Sequence, residues 1–415
     1  FKYIKNMLIY AKRLLNMDKK ALHKALLSWY DKNGRKNLPW RTFGTPLCDE
    51  RLRGIDAAYG VYISEIMLQQ TQVNRVLENF YFPFLQKFPN LQSLANADES
   101  EILKAWQGLG YYSRARNLKL CAASCVARFN GHLPENVSEL TRLEGIGAYT
   151  AGAIACFGYK KAVGFIDGNI KRVFSRLFAL ANPTQSLLQG KANELLCEQN
   201  AFDYNQALID LGALVCTPKL ARCALCPLDE WCVGKNAPQK YPQSKKVEYE
   251  RLNLSLFVVH FGDKIALQKS RQNLYKGLYN LPQMQARQSF EFSHKQTRDF
   301  EFSNELANAC EFNGEQANAR TFDGKGQKSS EKRLEFGEKE LKFIGEFKHS
   351  YTKYRINARV YELEFDENLQ DLKPIKECLS GLLSECEFLP LKALRTLPLS
   401  NLALKAIKKA FKDEI

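Results

Sequence analysis

The spacing of apolar residues changes once along this chain. From about residue 17 to residue 240 the period is helical. Leu22, Leu26, Leu27 and Tyr30 recur on one face until the polar, glycine-ended run Asp31-Lys32-Asn33-Gly34 stops the first helix. Residues 42–58 show no period and read as a loop, and Tyr62–Phe80 reads as one helix. Gly108-Leu109-Gly110 marks a turn before a further helix that carries Arg114 and Arg116. Beyond Lys240 the period shortens. Leu252, Leu254, Leu256 and Val258 alternate with other residues, as do Tyr361, Leu363 and Phe365 with Glu362 and Glu364, so both segments read as strands. Leu391–Phe411 is helical again. The pattern predicts a mostly α multidomain protein whose C-terminal part is α+β.

Boundaries follow from composition. Residues 1–16 read as an N-terminal extension, basic and amphipathic but without the apolar core or small-residue cleavage site of a signal peptide. A helical domain spans 17–240, a polar, proline-marked linker 241–250, and the mixed domain 251–415. An insert at about 286–340 interrupts the last of these. Within it Phe292, Phe302, Phe312 and Phe322 recur every ten residues, and the copies share Glu305–Ala309 (ELANA) and Glu315–Ala319 (EQANA). One aromatic per ten residues leaves little to bury, so a solvated loop is expected there.

At 415 residues the chain is too long for one ordinary core. Its formal charge of +15 favours a polyanionic partner. No apolar run reaches the length of a membrane-spanning helix. Eight of the twelve cysteines are scattered without pairing logic, which suits a reducing compartment.

Two stretches hold candidate chemistry. In Thr141–Val173 a short helix, the turn Leu143-Glu144-Gly145-Ile146-Gly147 and a second helix from about Ala148 form a glycine hairpin. Gly145 and Gly147 permit torsions that a Cβ would penalise, and the free N–H groups at the second helix's start make a seat for phosphate. Alone, a Gly-x-Gly pair is as readily an ordinary turn. Asp167 follows in Ile166-Asp167-Gly168-Asn169, where it could equally cap the next helix. The second stretch is Cys216-x6-Cys223-x2-Cys226-x5-Cys232. Four thiolates so close can hold a [4Fe–4S] cluster. Zinc competes, although structural zinc sites usually show two close pairs and only Cys223 and Cys226 make one here. Lys219 and Arg222 make this loop basic.

Taken together, the chain resembles the endonuclease III superfamily of helix-hairpin-helix base-excision enzymes, and within it the adenine DNA glycosylase (MutY) family. The likeness covers roughly Ala21–Lys240 and parts of the C-terminal domain. It rests on LPWR at 38–41, SEIMLQQTQV at 64–73, GLGYYSRARN at 108–117, LEGIGAYTAGAI at 143–154, IDGNIKRV at 166–173 and YNQALIDLGALVC at 204–216. The resemblance implies a helix-hairpin-helix at 141–154, an iron–sulfur loop at 216–232 and a cytoplasmic, bacterial-type, monomeric enzyme on chromosomal DNA.

It also implies roles. Glu65 would protonate the leaving adenine, and Asp167 would stabilise the sugar cation, the two-carboxylate logic of glycoside cleavage. The apolar Ile63, Ile66, Met67 and Leu68 would help keep Glu65 neutral. Tyr149 stands where the bifunctional relatives carry a nucleophilic lysine, so strand cleavage should be weak. Asn169 would orient Asp167 or the water. Gln206 would hold the flipped base's edge, Trp40 and Arg41 would line the pocket entrance, and Gln70 and Tyr111 would wedge into the duplex. The C-terminal domain resembles the Nudix-like domain that senses 8-oxoguanine, through Leu274–Pro282. The family's Phe-Ser-His loop aligns with Tyr351, Thr352 and Lys353, so Tyr351 and Thr352 keep the aromatic and the hydroxyl while Lys353 departs from histidine. The expected partner is double-stranded DNA with A·8-oxoguanine or A·G pairs. An endonuclease III-like lyase on oxidised pyrimidines and a non-catalytic DNA-binding protein are the alternatives. Tyr149 and the extra domain disfavour the first, and Glu65 with Asp167 the second.

Overall fold

The computed structural model describes residues 18–243, 248–271, 275–285, 334–336, 339–351, 353–365 and 379–411. The N-terminal extension, Thr352 and nearly all of the repeat insert therefore lie outside the described residues. The helices are α1 (Lys19–Asn33), α2 (Ala57–Leu68), α3 (Val73–Asn79), α4 (Tyr81–Lys87), α5 (Leu91–Asn96), α6 (Glu99–Ala105), α7 (Ser113–Arg128), α8 (Val137–Leu140), α9 (Ala148–Ala153), α10 (Gly168–Leu177), α11 (Gln185–Glu194), α12 (Ala201–Leu214), α13 (Ser380–Leu383) and α14 (Asn401–Ala410). Two compact units emerge. One comprises the described residues through Ala97 and from Ser113 to Gln243; the other joins Asp98–Tyr112 to those from Glu248 onward.

The helical unit is organised around α2. Every residue from Ala58 to Met67 is buried, including Glu65. A helix that is apolar on all sides belongs in a core, and α2 packs against α4, α9 and the π-helical turn Ile154–Gly158 that follows α9. Asp56 starts it by accepting a hydrogen bond from the Tyr59 N–H at 2.8 Å. The single helix expected over Tyr62–Phe80 is interrupted. α2 begins at Ala57 and ends at Leu68, and Gln70 takes a left-handed φ of 58°, which no helix accommodates, before α3 begins at Val73. The expected loop over 42–58 also holds a short 3₁₀ turn, Glu50–Leu52, anchored by buried Leu52.

The second unit is a mixed sheet ordered β3-β2-β1-β7-β6-β5, with β4 on β1 and β8 on β2. Its strands are β1 (Glu250–Phe261), β2 (Lys264–Lys269), β3 (Tyr279–Asn280), β4 (Gln283–Gln285), β5 (Leu334–Phe336), β6 (Lys339–Tyr351), β7 (Tyr354–Phe365) and β8 (Glu387–Pro390). β1 runs parallel to β7 along its whole length, and β6 and β7 form an antiparallel hairpin whose last pair is Tyr351 with Tyr354. The alternation read in β1 gives way to continuous burial from Leu254 to His260, because both faces of this central strand are covered. Phe257 and Val259 enter one apolar cluster, and α14 packs on the sheet elsewhere. The helix expected over Leu391–Phe411 is two pieces, a 3₁₀ turn at Leu391–Arg395 and α14, separated by a segment containing Pro398 that cannot donate a helical hydrogen bond. Within this unit the Lys104 ammonium on α6 donates to the carbonyls of Leu394 and Leu397, at 3.4 and 3.1 Å.

Candidate active site

Glu65 sits one turn before the end of α2 and is 5 % exposed. A buried carboxylate without compensation is expensive, so the neutral form is favoured. Burial pushes its pKa up to about 7; a hydrogen bond from the Tyr149 hydroxyl and the nearby Arg41 oppose the rise, and Asp167 adds to it. Tyr149 comes from the second turn-end of the hairpin. Gly145 makes that turn with φ +76°, where any side chain would also strike Asn117, and Gly147 precedes α9.

Asp167 is the N-cap of α10. Its carboxylate accepts from the Ile170 N–H at 2.6 Å and from the Asn169 amide at 2.8 Å. Burial nonetheless raises its pKa above the ordinary value, against those bonds and the charge of Arg172. Cap and candidate catalytic carboxylate are thus one group. Asn169 can stand beside it because Gly212 of α12 leaves room, since a Cβ there would meet the Asn169 Cβ at 2.6 Å.

Glu65, Tyr149, Asp167 and Asn169 line a single cavity of about 710 Å³, with Trp40, Arg41 and Gln70 also on its walls. Trp40 is held edge-on to Tyr81, with ring centroids 5.2 Å apart. Phe157, presented by the π-helical turn, adds an apolar wall and packs on Phe165, which in turn meets Tyr149. Other site residues expected from the sequence lie elsewhere. Gln206 is 1 % exposed and does not line this cavity; its side-chain oxygen accepts from the Tyr30 hydroxyl at 2.6 Å. Tyr111 and Tyr351 belong to the second unit, where their rings stack with centroids 6.2 Å apart, and Tyr275 packs on Tyr351 at 4.9 Å. Tyr111, like Gln70, has a positive φ, 49°. Such strain concentrates at functional sites. Lys353 bridges to Glu250 at 2.5 Å, both side chains more than half exposed.

Cys216, Cys223, Cys226 and Cys232 line one further cavity, and none is in a disulfide. Lys219 and Arg222 are exposed beside them. Arg176, 4 % exposed on α10, binds this loop through the Cys216 sulfur (3.3 Å), the Thr217 carbonyl (2.8 Å) and the Pro218 carbonyl (3.2 Å). Arg172, one turn earlier, donates to the Asn169 side-chain oxygen at 2.9 Å and the Cys216 carbonyl at 2.7 Å. One helix therefore ties the cysteine loop to the Asp167–Asn169 pair.

Sequence reasoning missed Arg172, Arg176, Arg35 and Asp210. Asp210 is wholly buried and takes the Arg41 guanidinium in a two-pronged pair, 2.9 and 3.0 Å, while Arg35 reaches it at 2.6 Å. The signal was present: Asp210 is a lone carboxylate in the apolar helical run ALIDLGAL.

Residues 63–198 match the HhH-GPD superfamily base excision DNA repair protein family. The chain is 43% identical over 238 residues to the human adenine DNA glycosylase, an overlap of 56% of this chain and 41% of that protein. It is 36% identical over 272 residues to the adenine DNA glycosylase of Buchnera aphidicola subsp. Baizongia pistaciae, covering 63% of this chain and 74% of that one. The chain thus spans about two-fifths of the length of the human and mouse relatives. Among solved structures, a thermostable thymine-DNA glycosylase overlaps 53% of this chain and 97% of its own, with a TM-score of 0.45 at 24% identity.

Proposed function

We propose that this chain, which belongs to the adenine DNA glycosylase family, hydrolyses the N-glycosidic bond of adenine mispaired with 8-oxoguanine or guanine in double-stranded DNA. One observation carries the reading: Glu65, half protonated at about pH 7, and the Asp167 carboxylate face the same cavity. Its volume falls within the range of small-molecule sites, enough for a base turned out of the stack.

Glu65 donates its proton to the leaving adenine, so the base departs neutral with the electron pair of the broken C–N bond. The cation left on the sugar is stabilised by Asp167, and water adds to it, releasing a proton that restores the Glu65 carboxyl. Tyr149 holds the Glu65 carboxyl in place. It offers no amine for a Schiff base, so the enzyme is mainly monofunctional. Asn169 fixes Asp167. Phe157 and Trp40 supply the dry walls that favour a neutral acid.

The four cysteines around one cavity are the donor set a [4Fe–4S] cluster takes. Only Cys223 and Cys226 make a close pair in sequence, whereas a structural zinc site usually shows two such pairs. Cys216, Cys223, Cys226 and Cys232 would hold the cluster, which would cross-link the loop that carries the basic Lys219 and Arg222 toward phosphate. The Nudix-like C-terminal domain senses the base opposite adenine. Tyr351 stands at the end of the β6–β7 hairpin and stacks on Tyr111, consistent with a pair that enters the duplex.

The deciding assay uses a duplex with one A·8-oxoguanine pair and alkali to reveal abasic sites. Alkali-dependent strand breaks at adenine are expected. Release of oxidised thymine instead of adenine would favour the lyase alternative, and binding without release would remove the enzyme reading.

A further inference from the structure

Arg41 creates an electrostatic problem for a neutral acid. Its guanidinium is nearly buried, lines the cavity with Glu65, and favours the ionised carboxylate. A cation in such surroundings is screened little by water. Other groups face Glu65 as well. Tyr149 donates to it from α9, Asp167 opposes its ionisation from the start of α10, and Arg114 caps α2 itself by donating to the carbonyls of Ile66, Met67 and Gln69. Arg35 and Lys171 line the same cavity. Among the described residues, the carboxylate that ion-pairs with Arg41 is Asp210.

The geometry of this contact is specific. Asp210 lies one helical turn beyond Gln206 on α12, with both carboxylate oxygens engaged by Arg41 and Oδ1 shared with the side chain of a second cation, Arg35. The Arg35 main-chain N–H also donates to it at 2.8 Å, and Arg41 reaches back to the Arg35 carbonyl at 3.3 Å. A two-pronged pair fixes the guanidinium in direction as well as position. Arg35 is the more exposed partner, its side chain 29% accessible against 7% for Arg41. Solvent therefore screens Arg35, while Asp210 must neutralise Arg41.

We propose that Asp210 is a positioning residue for the reaction: it pins the Arg41 guanidinium to the cavity wall and cancels its charge beside Glu65. This rests on Glu65 acting as the acid. Without Asp210, Arg41 would pull the proton off the group that must deliver it. Without Arg35, Asp210 would neutralise Arg41 more completely and the acid would hold its proton to higher pH. The two substitutions act in opposite directions.

The test reads Glu65 directly in the full chain, by carbon-13 NMR of labelled glutamate carboxyls, with the Glu65 signal assigned by its loss in Glu65→Gln. No turnover is needed. Asp210→Asn should lower the titration midpoint by about one unit or more, and Arg35→Gln should raise it by about half a unit. The alkaline limb of adenine excision should move with each, and the Asp210→Asn rate should recover towards wild type at low pH. Asp210→Asn leaves the buried Arg41 without its ion-pair partner, so if that variant does not fold, Arg35→Gln, which keeps the Arg41–Asp210 pair, decides by itself. A midpoint unmoved in Arg35→Gln, or moved the same way in both variants, overturns the proposal. A midpoint that moves while the excision limb stays fixed strikes instead at Glu65 as the acid.

Discussion

Two polar arrangements in this molecule obey opposite rules. In the helical unit, Asp210 holds Arg41 where water barely reaches, and Glu65 holds its proton because the wall around it is dry. At the tip of the β6–β7 hairpin, Lys353 and Glu250 pair in open solvent. Breaking a buried pair strands a charge, at a cost of about 3–5 kcal/mol. An exposed pair contributes little and is readily exchanged. The comparison teaches that losing one partner at the cavity strands a charge, whereas a partner at the hairpin tip can be exchanged at little cost.

The largest expected effect tests the rigid side of that contrast. Glu65→Gln keeps the shape of the side chain and removes the proton. Excision should fall about 10²–10⁴-fold while binding to the mispaired duplex persists. Single-turnover kinetics beside a binding titration would check this, and near-normal turnover would take Glu65 out of its role.

The same substitution should also change stability, and the sign is fixed. Glu65 moves from an ordinary 4.5 to about 7 on folding, so the folded chain binds the proton more tightly than the unfolded one. Its contribution is fully present below pH 4.5, declines as pH rises, and is lost once pH passes about 7. The swing amounts to about 3 kcal/mol. Denaturant melts from pH 5 to 8 should show Glu65→Gln gaining on the wild type as pH increases. Parallel curves would mean that the acid is not buried as described.

The third effect is smaller and belongs to the sheet unit. Tyr351→Ala removes the ring that stacks on Tyr111 and packs at a tilt on Tyr275. If that ring meets a base, its loss should cost about 1–3 kcal/mol of binding to mispaired duplex. Excision rates at saturating enzyme should change far less. Equal losses in binding and rate would place Tyr351 in the chemistry instead.

How much of this was legible beforehand follows the same division. Glu65 and Asp167 were singled out through the resemblance carried by the SEIMLQQ and IDGN segments, since alone a helix glutamate reads as a surface residue and Asp167 as a helix cap. The cysteine spacing was readable because it is local in the chain. The break at Gln70 was not, since a left-handed glutamine between two helical segments has no marker in the apolar pattern. Nor were Arg172 and Arg176, which act by reaching a loop some forty residues away in sequence. Gln206 was read as touching the base, yet it is turned inward onto Tyr30. Which side of a largely buried helix meets a cavity depends on its neighbours, and periodicity is silent there. The continuous burial of β1 likewise depends on strands that cover it from distant parts of the chain.

The last and smallest effect probes the tolerant side. Lys353→His restores the residue type of the family's recognition loop, at a position whose only described ion pair is with exposed Glu250. An exposed pair holds the fold weakly, so the melting temperature should not move. Any consequence should fall on the choice of opposite base. One added hydrogen bond is worth about 1 kcal/mol, or about fivefold in preference for A·8-oxoguanine over A·G. Paired excision assays on the two duplexes would read it. A lowered melting temperature would make the Lys353–Glu250 pair structural. An unchanged preference would mean that the hairpin tip reads the opposite base through Tyr351 and its neighbours rather than through residue 353.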